Sequence, residues 1–124
     1  LAWCLMDNHV HLLVEDTREV LSSAMQKVAT TYALQYNTRS GHIGHVFQQR
    51  FYSFPVEEDS YLLEVMRYIH NNPDKAGVAP VASYRWSSYH EYLGEPEVCR
   101  YPFAVGDAGR RGRVRRLLAR RDRR

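Results

Sequence analysis

Residues 1–15, LAWCLMDNHVHLLVE, are apolar on both sides of one polar step, Asp7-Asn8. Ala2, Trp3, Cys4, Leu5 and Met6 precede that step, and His-Val-His-Leu-Leu-Val follows it. A run of this kind reads as a strand, and Leu12, Leu13 and Val14 require that strand to be largely buried in a sheet. The sequence starts in mid-strand at Leu1, so the natural N-terminus and any preceding strand are expected to lie upstream of it.

The segments that follow supply helices to cover the sheet. Thr17 is placed to cap a helix running to about Asn37. In it Val20, Leu21, Ala24, Met25, Val28, Tyr32 and Tyr36 recur at helical spacing and are expected to face the core. Ser40-Gly41 breaks the pattern and leads into the loop GHIGHVFQQR. The aromatic run RFYSFPV, ending near Pro55, suits an edge strand. A second helix is expected from Asp59 or Ser60 through YLLEVMRYIHN, with Leu62, Val65, Met66 and Ile69 packed on the sheet. Pro73 disfavours helical geometry at Asn72 and should end it there. After the turn-rich PDKAGVAPVAS, the segment RWSSYHEYLG reads as a third short helix or turn, stopped at Gly94.

Charge is divided along the chain. The net charge is +3 over 124 residues, but residues 110–124 hold nine Arg and one Asp, a net of +8, so the rest of the chain carries −5. Such a block is either a solvated arm or a contact for a polyanion, and VRRLLARR could turn helical on binding one. Two cysteines, Cys4 and Cys99, are too few and too far apart for a four-thiolate zinc site or a disulfide framework. Cys4 reads as a small core residue, and a reducing, cytoplasmic setting fits. No stretch has the roughly 18 apolar residues of a membrane span.

Three groups of residues could carry chemistry. In a strand, His9 and His11 project to one face and Val10 to the other. Two imidazoles side by side can hold a divalent ion with open positions for a phosphate oxygen, or they can be two ordinary histidines. On the second helix, at about 100° per residue, Tyr61, Tyr68 and Asn72 share a stripe beside the apolar face. Tyr68 is then either a core-margin tyrosine or a nucleophile between helix and sheet. The loop from Gly41 to Phe51 mixes glycines, amides, Arg50 and aromatics; it suits either a solvated connection or the stacking of single-stranded bases.

Taken together, CLMDNHVHLLVE, TTYALQYN, GHIGHVFQQRFYSFPVEEDSYLLEVMRYIHNNPDKAG and YRWSSYHEYLG resemble the REP-associated tyrosine transposases, a branch of the single-tyrosine HUH (His-hydrophobic-His) transposases. The resemblance covers residues 3 to about 94 in the family's order and spacing, with Asp7 where the family usually has Pro. It implies a ferredoxin-like α+β fold, an antiparallel sheet with helices packed on one face and a first strand upstream of this sequence. Residues 1–94 would form the transposase domain, and residues 95–124 an irregular segment with the Arg-rich tail. It further implies that His9, His11 and Asn72 bind a divalent metal, Mg²⁺ or Mn²⁺, and that Tyr68 attacks single-stranded or hairpin DNA to give a 5′-phosphotyrosine. Asn8, His45, Gln48, Arg50, Arg67, Arg110, Arg111 and Arg113 are candidate DNA contacts. The setting implied is a bacterial cytoplasm with no membrane partner, as a monomer or a homodimer. Two other readings fit the same residues: a catalytically inactive hairpin-DNA-binding module, and a metallophosphoesterase that uses the histidine pair and water.

Overall fold

The computed structural model describes residues 1–57, 59–94 and 113–120. Its fold is α+β, built on an antiparallel sheet. The elements are β1 (Ala2–Leu5), β2 (His9–Asp16), α1 (Leu21–Ser40), β3 (Tyr52–Pro55), α2 (Asp59–His70), α3 (Asn72–Lys75), α4 (Tyr89–Tyr92) and β4 (Arg113–Arg120). A single 3-10 turn at Val81–Ser83 lies between α3 and α4. Sheet order is β1-β2-β4-β3, with every pair antiparallel.

The single strand expected over residues 1–15 is a hairpin. Met6, Asp7 and Asn8 turn the chain, the Met6 amide donates to the His9 carbonyl at 2.8 Å, and β2 folds back on β1 with Cys4 opposite His11. The Asp7-Asn8 step is thus a turn, which suits two polar residues with strong turn preference. β2 therefore has a partner on each side, β1 and β4.

Burial follows the pleat. His11 and Leu13 lie on the face that α2 covers, where Leu13, Ala2 and Cys4 pack with Val65 and Ile69, and with Leu62 and Met66 at the margin. The apolar stripe expected on α2 is the one that packs. Cys4 is fully buried, and desolvation pushes its thiol up to about 11, as for an inert core cysteine. β3 sits at the sheet edge, as its Pro55 suggested.

Three expectations need correcting. Helix α1 is capped by Asp16, not Thr17: the carboxylate accepts the amides of Val20 at 3.1 Å and Leu21 at 3.3 Å. A carboxylate reaches two donors where a hydroxyl reaches one, and it complements the positive end of the helix dipole. The helix then runs to Ser40 and closes on Gly41 in the left-handed region, φ 67°. Second, α1 buries none of its residues: Val28 is 62 % exposed, and Val20 and Tyr32 are exposed too. Its Met25 and Ala29 instead share the wall of a cleft of about 1100 Å³ with Val10 and Leu12, the β2 pleat turned away from α2. Third, Arg113–Arg120 is neither a solvated arm nor a helix but strand β4, paired along its whole length with β2 and with β3 over Arg115–Leu118. The pairing uses main-chain groups that every residue has, so an Arg-rich composition does not forbid it. Cys99, Arg110 and Arg111 lie outside the described residues.

A polar knot fixes the end of α2. The Ser88 hydroxyl accepts the Trp3 amide at 2.9 Å and lies 2.8 Å from His70 Nε2, while the Ser88 amide donates to the Trp3 carbonyl at 2.9 Å. The Leu5 amide donates to the Trp86 carbonyl at 2.8 Å, so residues 86–88 cover the outer edge of β1. His70 is buried, and desolvation lowers its pKa from 6.5 to about 4.

Two outcomes are expected. Between pH 6.5 and 4 the unfolded chain binds a proton at His70 that the folded chain does not, so stability is full above this window and falls as pH drops through it. The loss is on the order of 3 kcal/mol, and urea titrations at pH 7 and pH 4.5 should show that His70→Gln flattens it. Ending the chain before Arg113 strips β2 and β3 of a shared partner; it should lower the urea midpoint and deprotect the amides of β2 in hydrogen exchange. An unchanged midpoint would mean that β4 is dispensable to the sheet.

Candidate active site

The site grows from the two periodicities that meet where β2 faces α2. Along β2 the two-residue repeat sends His9 and His11 to the same face, and their rings lie perpendicular with centroids 5.0 Å apart. His11 is buried at 3 % exposure, whereas His9, nearer the strand's start, is half-buried. Along α2 the 3.6-residue repeat turns Val65 and Ile69 into the core. Tyr68, one residue before Ile69, therefore stands at the margin of the buried face. The residue is 36 % exposed, and its ring is perpendicular to that of His11, with centroids 5.7 Å apart. The phenol thus lies beside the imidazole pair.

Two asparagines orient this group. Asn8 Oδ1 is 2.7 Å from His9 Nδ1, which donates to it; in that tautomer Nε2 is the acceptor nitrogen of the ring. Asn72 is not on α2, which ends at His70, but opens the single turn of α3. Its amide still reaches back, Nδ2 donating to the Tyr68 carbonyl at 2.8 Å. Because nitrogen makes that bond, the side-chain oxygen is not used in it.

Two imidazole nitrogens with one amide oxygen would suit a hard or borderline divalent cation; the contacts here join the two imidazoles and Tyr68, and tie Asn72 to the Tyr68 main chain. Among the described residues no group of three His, Cys, Asp or Glu could hold a metal.

The other sequence candidates are dispersed. Asn8 and Arg50 line the α1 cleft, whose wall also includes His9, Phe47 and Phe51. His45 and Gln48 are exposed in the loop after α1, and Arg67 is exposed on α2. Arg113 begins β4, opposite Asp16 in the register. Sequence reasoning missed Lys75, whose ammonium lies 4.9 Å from the Tyr68 ring centroid. Its signal was the seven-residue spacing from Tyr68, close to two helical turns.

A family model described as "Transposase IS200 like" matches residues 1–72, from the first strand through Asn72. The chain belongs to the IS200-like transposases. The matched span holds the imidazole pair, the tyrosine beside it and the asparagine that ends it. A transposase has DNA as its partner, and this one has, among its described residues, no helix long and apolar enough to cross a membrane. No curated protein and no solved structure matches the transposase chain.

Proposed function

We propose that this transposase cuts and rejoins single-stranded, hairpin-forming DNA of the REP type through a covalent bond to Tyr68, with Mg²⁺ or Mn²⁺ held by His9, His11 and Asn72. The observation that carries the reading is the Tyr68 ring set against His11, next to His9. A nucleophile and a candidate phosphate-binding group within one side chain's reach is what in-line attack at phosphorus needs.

The chemistry follows from the residues. The phenolic oxygen of Tyr68 attacks the phosphorus of a backbone phosphodiester, the bond to the 3′ oxygen breaks, and the leaving oxygen takes up a proton as a 3′-hydroxyl. The 5′ phosphate stays on the tyrosine. Since the phosphoester is retained rather than lost to water, the same or another 3′-hydroxyl can reverse the attack, and the outcome is strand transfer. A divalent ion at the imidazole pair would supply Lewis-acid stabilisation of the charge that builds on the phosphate oxygens. Asn8 would contribute by fixing the His9 tautomer, with Nε2 as the nitrogen that could bind the ion. Arg50 and Arg67, both exposed, are candidates for phosphate contacts along the strand.

Tyr68→Phe is expected to remove the denaturant-resistant protein–DNA species formed with Mn²⁺ and a hairpin oligonucleotide, while leaving DNA affinity within about twofold. Persistence of the adduct in the phenylalanine variant would falsify the assignment, and DNA binding without any adduct in the unaltered chain would favour the inactive binding module. Asn8→Ala is expected to weaken Mn²⁺ binding by about 10- to 100-fold, read by titration of the protein without DNA. Unchanged Mn²⁺ affinity would remove Asn8 from the site.

A further inference from the structure

Tyr68 touches a group that its proposed role does not use. Lys75 places its ammonium 4.9 Å from the centre of the Tyr68 ring, within the range of a cation–π contact. The perpendicular ring of His11 is another neighbour, 5.7 Å away.

The position of Lys75 is built into the backbone. It closes α3, a single turn anchored by Pro73, which is fully buried. The Lys75 amide donates to the Asn71 carbonyl at 3.0 Å, and the Ala76 amide to that of Asn72 at 3.0 Å. Val78 then donates back to Pro73 at 2.9 Å, across Gly77 with φ 68°. Asn72 ties the start of the same turn to the Tyr68 carbonyl. The peptide segment from Tyr68 to Lys75 therefore forms a closed loop, joined at one end through the Asn72 amide and at the other through the ammonium on the ring.

We propose that Lys75 is the positioning residue for Tyr68: its ammonium keeps the phenol ring beside His11 instead of letting it swing into solvent. A tyrosine more than a third exposed has little burial to hold its rotamer, so directed contacts such as that of the Lys75 ammonium shift its population. Arginine would preserve the contact, while methionine would keep the length and apolar stem but lose the charge. The consequence for DNA cleavage rests on Tyr68 being the nucleophile; the clamp itself is a property of the chain alone.

The test has two arms, run on the full chain. In the first, 3-fluorotyrosine is incorporated at position 68 and its ¹⁹F resonance is followed without metal or DNA. Lys75→Met should move the resonance toward that of free fluorotyrosine and narrow it, and Lys75→Arg should restore it. Lys75 is exposed, so neither variant threatens folding. A resonance unmoved in Lys75→Met overturns the clamp. In the second, single-turnover adduct formation with Mn²⁺ and saturating hairpin DNA should slow by about 2- to 30-fold in Lys75→Met, the span of cation–π strengths from exposed to desolvated sites, with the Kd for DNA unchanged. A weakened Kd with an unchanged rate would make Lys75 a phosphate contact and overturn the positioning role. If the ¹⁹F arm succeeds while Tyr68→Phe still forms adduct, the nucleophile assignment fails and the clamp stands.

Discussion

The pleat of β2 that carries His11 and Leu13 is buried against Val65 and Ile69 of α2, and the rest of the molecule is arranged around that contact. It puts a histidine into the core and sets the register of everything beside it. A slip of one residue would turn His11 and Leu13 to the far face and bring Val10 and Leu12 inward. Pairing on both edges, with β1 and with β4, opposes such a slip, because each ladder would have to be rebuilt at once. The histidine nearer the strand's start then lies toward the rim, half-buried beside the turn that Asn8 completes. One imidazole is thus held in the core and one at its margin.

The same economy applies to α2. Its inward stripe leaves Tyr68 next to Ile69, and the margin is the one place on a helix where a side chain can touch both core and solvent. The end of the helix is as consequential as its face. Buried Pro73 breaks the chain after His70 and resets it into a new turn, which brings Asn72 back onto the Tyr68 carbonyl and Lys75 over its ring. His70 anchors this end through Ser88 to the main chain of Trp3, so the tyrosine's platform is fastened to β1.

How much of this was legible depended on the range of the interaction. The histidine face, the α2 stripe, the β3 edge and the Gly94 stop are local periodicities or local turn chemistry, and they read directly. The hairpin at Asp7-Asn8 was misread because two apolar strands joined by a three-residue turn have the composition of one long strand. Thr17 is a good cap on paper, but the chain bends before α1, where Glu19 takes φ 56°, and it is the Asp16 carboxylate that accepts the first amides. The α1 stripe was real as spacing, but it faces a cleft and so stays exposed. β4 was out of reach for another reason. Its pairing joins residues about a hundred positions apart through main-chain groups, and four arginines in eight residues outweigh Val114, Leu117, Leu118 and Ala119 in any compositional reading.

The placement of β4 also changes how charge relates to the site. Treated as an arm, the arginines of residues 113–120 would be a tether that could meet DNA anywhere within reach. As a strand they are held at fixed register beside the histidines: Arg120 stands opposite His9 and Leu118 opposite His11. The remainder of the chain is net acidic and would repel a polyanion, so the main-chain placement of this basic segment matters. A strand fixes them where an arm would not, because the ladder that sets the position of His9 sets that of Arg120 as well. The two strands are therefore coupled through their main chains: anything that frees β4 from β2 loosens the histidine strand as well.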